Sequence, residues 1–374
     1  MLHLIYAIFA ETHRLRKTNK FITRKVEIMS FETVIERQEA ISTGKAPNLE
    51  IPKYRNYVMG NLRGGIGKTT LSFNLSYLTD EILVIDTCPQ GNLSYFYDRN
   101  YYSGPGTTVQ DMILPYIIPG LGKATHVANC IEATNQFFKG KQSYFIQSSS
   151  ELYLLPTRLT TAIDLTSDLP SPQKESSRDS ILFCLRDEIA REMKENSLNK
   201  SLIDTSPFFA GATQLAWYAA DALVIPVRTD QQSINSLELL IKTLTTPGSP
   251  FRRPLTPENE RYVPKIHMVV LTHCGWSTVA GARNVPNQQT KVYLRRLYDI
   301  LSKHKNLLTT GDPDNHLFML DDFLGSGRIS SIEAKPIELL QAGETKTIDR
   351  VRVSVSQAVD KCKNQLKYIC KQLW

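Results

Sequence analysis

Short apolar runs alternate along this chain with longer segments whose apolar positions recur three and four residues apart. Phe31, Val34, Ile35 and Ile41 share one helical face, with Ser30 placed to cap it and Gly44 to end it. Pro47 to Pro52 reads as a linker. Tyr57-Val58-Met59 predicts a strand, the glycines after it a loop, and Lys68 to about Tyr77 a helix. Ile82-Leu83-Val84-Ile85, between Glu81 and Asp86, is the unbroken apolar run of a strand covered on both faces. Ser201 to Asp204, Ala222 to Val227 and His267 to Leu271 have the same character, and Leu152 to Pro156 predicts one more strand. Arg178 to Lys194 carries Ile181, Leu185, Ile189 and Met193 on a single helical face. Gln288 to Lys303 and Val355 to Leu373 predict two further helices, the last one amphipathic. Residues 98–150 read as irregular with weak helices, and Pro247 to Pro264, with five prolines, as a surface loop. There is no internal repeat. Strands and helices in alternation predict an α/β fold, a doubly wound and mostly parallel sheet flanked by helices. Residues 1–53 are then a basic arm, a helix and a linker, and residues 54–374 one α/β domain ending in the amphipathic helix.

Composition changes this picture only in places. At 374 residues, 41% hydrophobic and 22% charged, the chain has an ordinary globular balance and length for one large domain or two small ones. The formal charge of +7 is uneven. Residues 1–28 hold Arg14, Arg16, Lys17, Lys20, Arg24 and Lys25 against Glu11 and Glu27, which is more than half of it. That segment reads either as a disordered basic arm or as sequence ahead of a start at Met29. The remaining excess points only weakly to a polyanionic partner. Six cysteines (Cys88, Cys130, Cys184, Cys274, Cys362 and Cys370) form no C-x-x-C pair and no His/Cys cluster. A reduced cytoplasmic protein without a zinc or iron–sulfur site is expected. No apolar run has the length of a membrane span. Leu2 to Ala10 is apolar, but no basic residue precedes it and no small-residue cleavage site follows, so it does not read as a signal peptide.

The chemistry lies in Asn61-Leu62-Arg63-Gly64-Gly65-Ile66-Gly67-Lys68-Thr69-Thr70. A strict phosphate loop, G-x-x-x-x-G-K-[ST], would have a glycine where this chain has Leu62. Phosphate binding needs backbone N–H groups that turn inward and a chain that can approach an anion closely. Gly64, Gly65 and Gly67 allow both. Gly64, Gly65, Ile66, Gly67, Lys68, Thr69 and Thr70 are the candidate cofactor-binding residues. Lys68 would pair with the β- and γ-phosphates, and the Thr69 hydroxyl would join a Mg²⁺ shell. Thr70 and the helix N-terminus add donors at the positive end of the helix dipole. A chance glycine turn is the alternative, but G-x-G-K-T-T between a strand and a helix is too specific for that.

The stretch resembles the deviant Walker A loop of the ParA/MinD family of ATPases, K-G-G-x-G-K-T-T. Members of that family often read N-Q-K-G-G where this chain reads Asn61-Leu62-Arg63-Gly64-Gly65. The family's first lysine reaches across an ATP-sandwiched dimer to the partner's phosphates. The resemblance gives that place to Arg63, whose permanently charged fork of donors can grip phosphate. Leu83-Val84-Ile85-Asp86-Thr87-Cys88-Pro89-Gln90-Gly91-Asn92 resembles the family's V-L-L-I-D-x-D-P-Q-G-N. Asp86 matches the first aspartate. Cys88 stands at the second, which in the family helps position the attacking water. A thiol with an ordinary pKa near 8.5 is neutral and a weak hydrogen-bond partner, so slow hydrolysis or another group is implied. Cys88 itself reads either as a small buried residue without a chemical role or as a redox thiol. Leu202-Ile203-Asp204-Thr205-Ser206-Pro207 resembles the Walker B I-I-D-T-P-P, which implies that Asp204 holds Mg²⁺ through water. Ala219 to Val227 resembles A-A-D-x-V-L-I-P-V, Val269 to Thr272 the strand before the adenine pocket, and Glu333-Ala334-Lys335-Pro336 the family's E-A-P. The resemblance spans roughly residues 54–340, strong in the three nucleotide motifs and thin between them. It implies a slow ATP hydrolase with Lys68, Arg63, Asp86 and Asp204 as catalytic residues. ATP and Mg²⁺ are the implied cofactors, with Thr69 and Asp204 as metal-site residues.

A switch of this kind needs something to bind. The resemblance implies an ATP-dependent homodimer on non-specific DNA, released by a ParB-like stimulating partner, in plasmid or chromosome partition or cargo positioning. The protein would be cytoplasmic, and nucleoid-associated when ATP-bound. Basic candidates for phosphate contacts are Arg283, Lys291, Arg295, Arg296, Arg350, Arg352, Lys361, Lys363, Lys367 and Lys371. The competing reading is a MinD-like membrane anchor. Val355, Val359, Cys362, Leu366, Ile369 and Leu373 step by fours and threes among lysines, as in an interfacial helix. The same stripe is the ordinary face by which a helix packs on a sheet, and that reading is preferred. A third reading is a nucleotide-dependent binding module with little turnover, for which Cys88 is the warrant. A tyrosine-kinase relative would have a tyrosine-rich tail, and only Tyr368 lies near the end. Residues 1–54 are too short and irregular for a winged-helix domain, which argues against operator recognition.

Overall fold

Nearly every buried apolar run becomes a strand of one sheet. The computed structural model describes residues 31–102, 106–209, 211–279 and 284–374. The strands are β1 (Asn56–Met59), β2 (Ile82–Asp86), β3 (Asn129–Cys130), β4 (Ser143–Ile146), β5 (Lys200–Asp204), β6 (Ala222–Arg228), β7 (Lys265–Cys274) and β8 (Leu317–Asp321). They lie in the order β3-β4-β2-β5-β1-β6-β7-β8. Every pairing is parallel except β3 with β4. The helices are α1 (Glu32–Ser42), α2 (Lys68–Tyr77), α3 (Asn92–Tyr97), α4 (Val109–Ile117), α5 (Leu155–Leu165), α6 (Gln173–Glu195), α7 (Ala212–Ala219), α8 (Gln231–Thr245), α9 (Gln288–Lys303), α10 (Leu324–Glu333) and α11 (Val359–Leu373). A separate antiparallel hairpin joins β9 (Thr345–Ile348) to β10 (Val351–Ser354).

Side chains alternate across a strand, and here both faces are covered. Val58, Leu83, Ile85 and Ile203 pack with Leu182 and Leu185 of α6 and with Leu215 and Trp217 of α7. Tyr57, Met59, Ile82, Val84 and Leu202 pack on the other face with Leu71, Phe73 and Leu75 of α2 and Leu366 and Ile369 of α11. Val355, Val359, Cys362, Leu366, Ile369 and Leu373 are all buried in this layer, so the C-terminal stripe is a packing face. Each such Leu or Ile contributes about 1.5–3 kcal/mol on burial. Among the described residues no helix is long and apolar enough to cross a membrane. Helix α1 covers the edge strand β8: Arg37 donates to Leu317 O (2.6 Å) and the buried Gln38 to Met319 O (3.2 Å), which satisfies carbonyls that an open edge would expose. Ser30, the expected cap of α1, lies outside the described residues, as do residues 1–28.

Three expectations change. Leu152 to Pro156 is not a strand but a 3₁₀ turn (Ser150–Tyr153) running into α5. Ser149 caps the turn, Pro156 suits the first turn of a helix, and Tyr153 and Leu154 are exposed rather than buried. Residues 98–150 are more ordered than their composition suggests. Thr108 and Asp111 form a capping box at α4, and β4 pairs in parallel with β2. The last helix starts at Val359, because Val355 still donates its N–H to Glu344 O (2.7 Å) beside the hairpin.

At the end of the sheet away from the glycine loop, His267 and His316 are fully buried. His267 Nε2 faces Gln372 O (3.1 Å) and Nδ1 faces Thr309 Oγ1 (3.2 Å), which suits the neutral ring. Burial pushes His267 down to about 4. A histidine whose folded pKa lies below its unfolded value near 6.5 adds stability above that value, and loses it as pH falls from 6.5 toward 4. Between pH 7.5 and 4 the wild type is therefore expected to lose about 3 kcal/mol more than His267→Gln in urea unfolding. Parallel profiles would show that His267 does not carry this loss.

Candidate nucleotide-binding site

Parallel strands bring their carboxyl ends to one rim, so Met59, Asp86, Asp204 and the ends of β6, β7 and β8 meet there. The glycine loop leaves β1 at this rim. Gly60 N–H donates to Val224 O (3.0 Å) and Asn61 Nδ2 to Pro226 O (2.7 Å), which ties the start of the loop to β6. Gly65 (φ +70°) and Gly67 (φ +91°) are left-handed, and a Cβ at either would meet nothing within 4 Å. Glycine is called for by backbone conformation, and the space beside it stays open. Ile66 is buried and its carbonyl accepts from Thr272 Oγ1 (3.2 Å), so the loop is pinned to β7 as well. The first amides of α2 have no partner within the helix and open onto the same space.

Lys68 curls back over the loop and donates to Asn61 O (3.1 Å) and Arg63 O (2.6 Å). Burial lowers its pKa, against the pull of Asp204. Below it, Thr69 Oγ1 donates to Asp204 Oδ2 (2.8 Å) and Ser72 Oγ to Oδ1 (2.9 Å). Burial raises Asp204 to about 6, while Thr69, Lys68 and Ser72 pull it back. Asp86 is its register partner across β2 and β5, raised to about 7 by burial and then by Asp204. Its oxygens accept from Ser94 N (2.8 Å), Ser94 Oγ (2.9 Å) and Cys88 N (3.0 Å). The two carboxylates therefore differ. Asp204 faces the hydroxyl of the loop, whereas Asp86 anchors the turn into α3.

Gly64 through Thr70, Cys88, Gln90, Asn92, Thr205 and Pro207 line a cavity of about 230 Å³. Cys88 is buried there, and burial followed by Asp86 pushes its thiol up to about 12. A second cavity of about 300 Å³ opens on the other side of Gly65, Gly67 and Thr70, against Thr272, His273, Asp322 and Phe323. Arg63 does not extend outward. Its guanidinium makes an ion pair with Asp230 and donates to Ser233 Oγ (2.7 Å).

Several of these groups escaped the sequence reading. Ser72 is one helical turn beyond Thr69, so helical spacing alone could have found it. Ser94, Asp230 and Ser233 carry no local signal, since they meet the motif residues only through the fold. Glu333 and Lys335 of the E-A-K-P segment pair with Lys346 (2.6 Å) and Glu344 (3.1 Å) and line neither cavity.

The basic candidates sort into two groups. Lys361 pairs with Asp321 (3.5 Å), Lys363 with Asp360 (3.1 Å) and Lys367 with Glu338 (2.7 Å). Arg295 lies over the Phe31 ring (5.9 Å) and Arg296 bonds Gln231. Lys291, Arg350, Arg352 and Lys371 have no carboxylate partner among the described residues, and Arg283 lies outside them.

Solved structures share this fold. Apo McdA from Cyanothece is 16% identical, with a TM-score of 0.52, covering 75% of this chain and 91% of that one. An ATP complex of an McdA variant from Cyanothece gives 16%, 0.52, 76% and 89%. Protein DIP2308 from Corynebacterium diphtheriae gives 12%, 0.50, 75% and 96%. No curated protein sequence matches the chain. A protein-family model described as "AAA domain" matches residues 55–252, which hold the glycine loop, Asp86 and Asp204. That match covers more than half of the chain, and the chain belongs to this AAA domain family, as a protein of the ParA/MinD type.

Proposed function

We propose that this chain is an ATP-dependent switch that hydrolyses ATP slowly, dimerises across facing glycine loops, and as a dimer binds DNA without sequence preference. The observation that carries the proposal is the cluster under the two left-handed glycines. A buried ammonium is held there on two loop carbonyls, and a helix-start hydroxyl donates to a strand-end carboxylate, beside open space. These groups fit a nucleoside triphosphate with Mg²⁺. Gly64 to Thr70 would hold the phosphates, Thr69 and Asp204 the ion, and the ion would supply neutralisation of phosphate oxygens. Lys68, already desolvated and held on two carbonyls, offers its charge to the phosphates with little side-chain ordering left to do. Arg63 would add a second cation for the partner's site. Lys291, Arg295, Arg296, Arg350, Arg352 and Lys371, which pair with no carboxylate among the described residues, are the cations left for DNA phosphates. The role would be DNA partition or cargo positioning in the cytoplasm, nucleoid-associated when ATP-bound, with a ParB-like protein stimulating release.

Size-exclusion chromatography with ADP and with ATP tests the switch. Wild type is expected to elute as a dimer only with ATP, and to carry a DNA fragment with it at low salt. Arg63→Ala is expected to stay monomeric. If wild type gives no ATP-dependent dimer, the switch reading fails, and if both dimerise alike, Arg63 is not the trans residue.

One observation favours a second reading, a nucleotide-dependent binding module with little turnover. The Cys88 thiol is neutral and buried where a carboxylate would position water.

A further inference from the structure

The mechanism proposed above uses Arg63 as a free cation, yet the structure holds it closed. The guanidinium is paired with Asp230 and donates to Ser233 Oγ (2.7 Å). Asp230 is also the N-cap of α8, accepting from Ser233 N (2.9 Å), so the clamp on Arg63 is the first turn of that helix. A second clasp lies one helical turn on. Ser236 Oγ donates to Asn61 Oδ1, and Asn61 Nδ2 donates to Pro226 O (2.7 Å). The backbone between the clasps is what Lys68 grips, through Asn61 O and Arg63 O. Phosphate-binding lysine, loop arginine and helix start are thus one connected unit. The unit borders a polar groove of about 730 Å³ that also presents Arg228, Gln231, His273 and Asn287. Arg228 has no carboxylate partner among the described residues. The groove carries both signs of charge, Arg63 and Arg228 against Asp230 and Asp322.

We propose that Asp230 is a positioning residue: it latches Arg63 onto the start of α8, and the latch opens when a nucleoside triphosphate occupies the glycine loop. This rests on the reading of the loop as a triphosphate site. Two competitions drive the opening. Across facing glycine loops, the terminal phosphate oxygens of the partner's triphosphate compete with the Asp230 carboxylate for the guanidinium. Those of the triphosphate in the chain's own loop compete with Asn61 O and Arg63 O for the Lys68 ammonium, which loosens the backbone that carries Arg63. A diphosphate, with less charge at that end, leaves the latch closed. Breaking the ion pair costs part of the triphosphate's binding energy, so the latch lowers triphosphate affinity and makes the free protein hold Arg63 in reserve.

Asp230→Asn is the informative variant, because asparagine caps a helix as well as aspartate and removes only the charge. Equilibrium titration with fluorescent ATPγS and ADP reads out the effect, in wild type, Asp230→Asn, Arg63→Ala and the double variant. A part-buried ion pair of this kind is expected to be worth a threefold to tenfold change in Kd. Asp230→Asn should tighten ATPγS by that factor and leave ADP unchanged. In the Arg63→Ala background the same substitution should do nothing, which a role limited to helix capping would not produce. If wild type binds neither nucleotide, the triphosphate reading fails and the latch fails with it. If wild type binds both but Asp230→Asn leaves the ratio of the two affinities unchanged, the latch alone is overturned. A tightening that persists without Arg63 also overturns it.

Discussion

Lys68→Ala is expected to weaken ATP binding at least a hundredfold with little loss of stability. The ammonium is nearly enclosed and its pKa is lowered by burial, so the fold gains little from holding it. Its bonds to Asn61 O and Arg63 O are charge-assisted, worth about 1.5–3 kcal/mol each, and the cost of keeping that cation out of water offsets them. In the bound state the same ammonium would make charge-assisted bonds to phosphate, each about 1.5–3 kcal/mol, and two of these account for the hundredfold. Lys68→Arg should not restore binding, because the larger planar fork does not fit a position shaped by two backbone carbonyls. Isothermal titration with ATP and a thermal melt of each variant check both halves. Binding within a few fold of wild type would remove Lys68 from the site.

The second large effect concerns Cys88. Cys88→Asp is expected to raise ATP turnover by tenfold or more while costing about 1–3 kcal/mol of stability. Position 88 lines the same cavity as Lys68 and Thr69, so a carboxylate there faces the space beside the glycine loop. A positioned base can speed proton transfer by factors of a hundred or more, and the native thiol, pushed up to about 12, supplies none of this. The stability cost has a physical origin in the neighbours. Asp86 and Asp204 already sit in burial that raises both, Asp86 to about 7 and Asp204 to about 6, and a third carboxylate adds like charge. Cys88→Ser serves as the control: a neutral hydroxyl of similar size should leave the rate where it is. A steady-state phosphate-release assay with all three proteins reads this out. An unchanged rate in Cys88→Asp, with ATP still bound, would mean that turnover is limited elsewhere.

How much of this was legible beforehand depends on the range over which each feature is specified. The strand-loop-helix unit around Gly64 to Lys68 was legible because it is local. Left-handed glycines, a helix start and an apolar strand each leave a mark within a few residues, and α2 begins and ends where spacing predicts. The C-terminal stripe was legible as a packing face, and the layer it joins buries all six of its apolar residues. Leu152 to Pro156 misled for the same local reason, since a short apolar run does not say whether anything will cover it. Strand β8, the hairpin of β9 and β10, and helices α5, α7, α8 and α10 also lay outside the reading. Helix α8 does carry a helical repeat, Ile234, Leu237, Leu240, Ile241 and Leu244, which that reading passed over, whereas the short strands β8, β9 and β10 are specified by the partners they pair with.

The candidate site divides in the same way. The sequence by itself determined the glycine loop, the strand-end carboxylates Asp86 and Asp204, and the residue types at Arg63 and Cys88, because backbone conformation and side-chain identity are written residue by residue. Only the tertiary structure decided what those residues face. Asp86 is engaged by Ser94 and the Cys88 amide, Asp204 by Thr69 and Ser72, and Arg63 by Asp230. The Arg63–Asp230 pair spans 167 residues. No local pattern encodes such a distance. It is set by the parallel sheet, which places the ends of β1 and β6 side by side and so brings the start of α8 against the glycine loop.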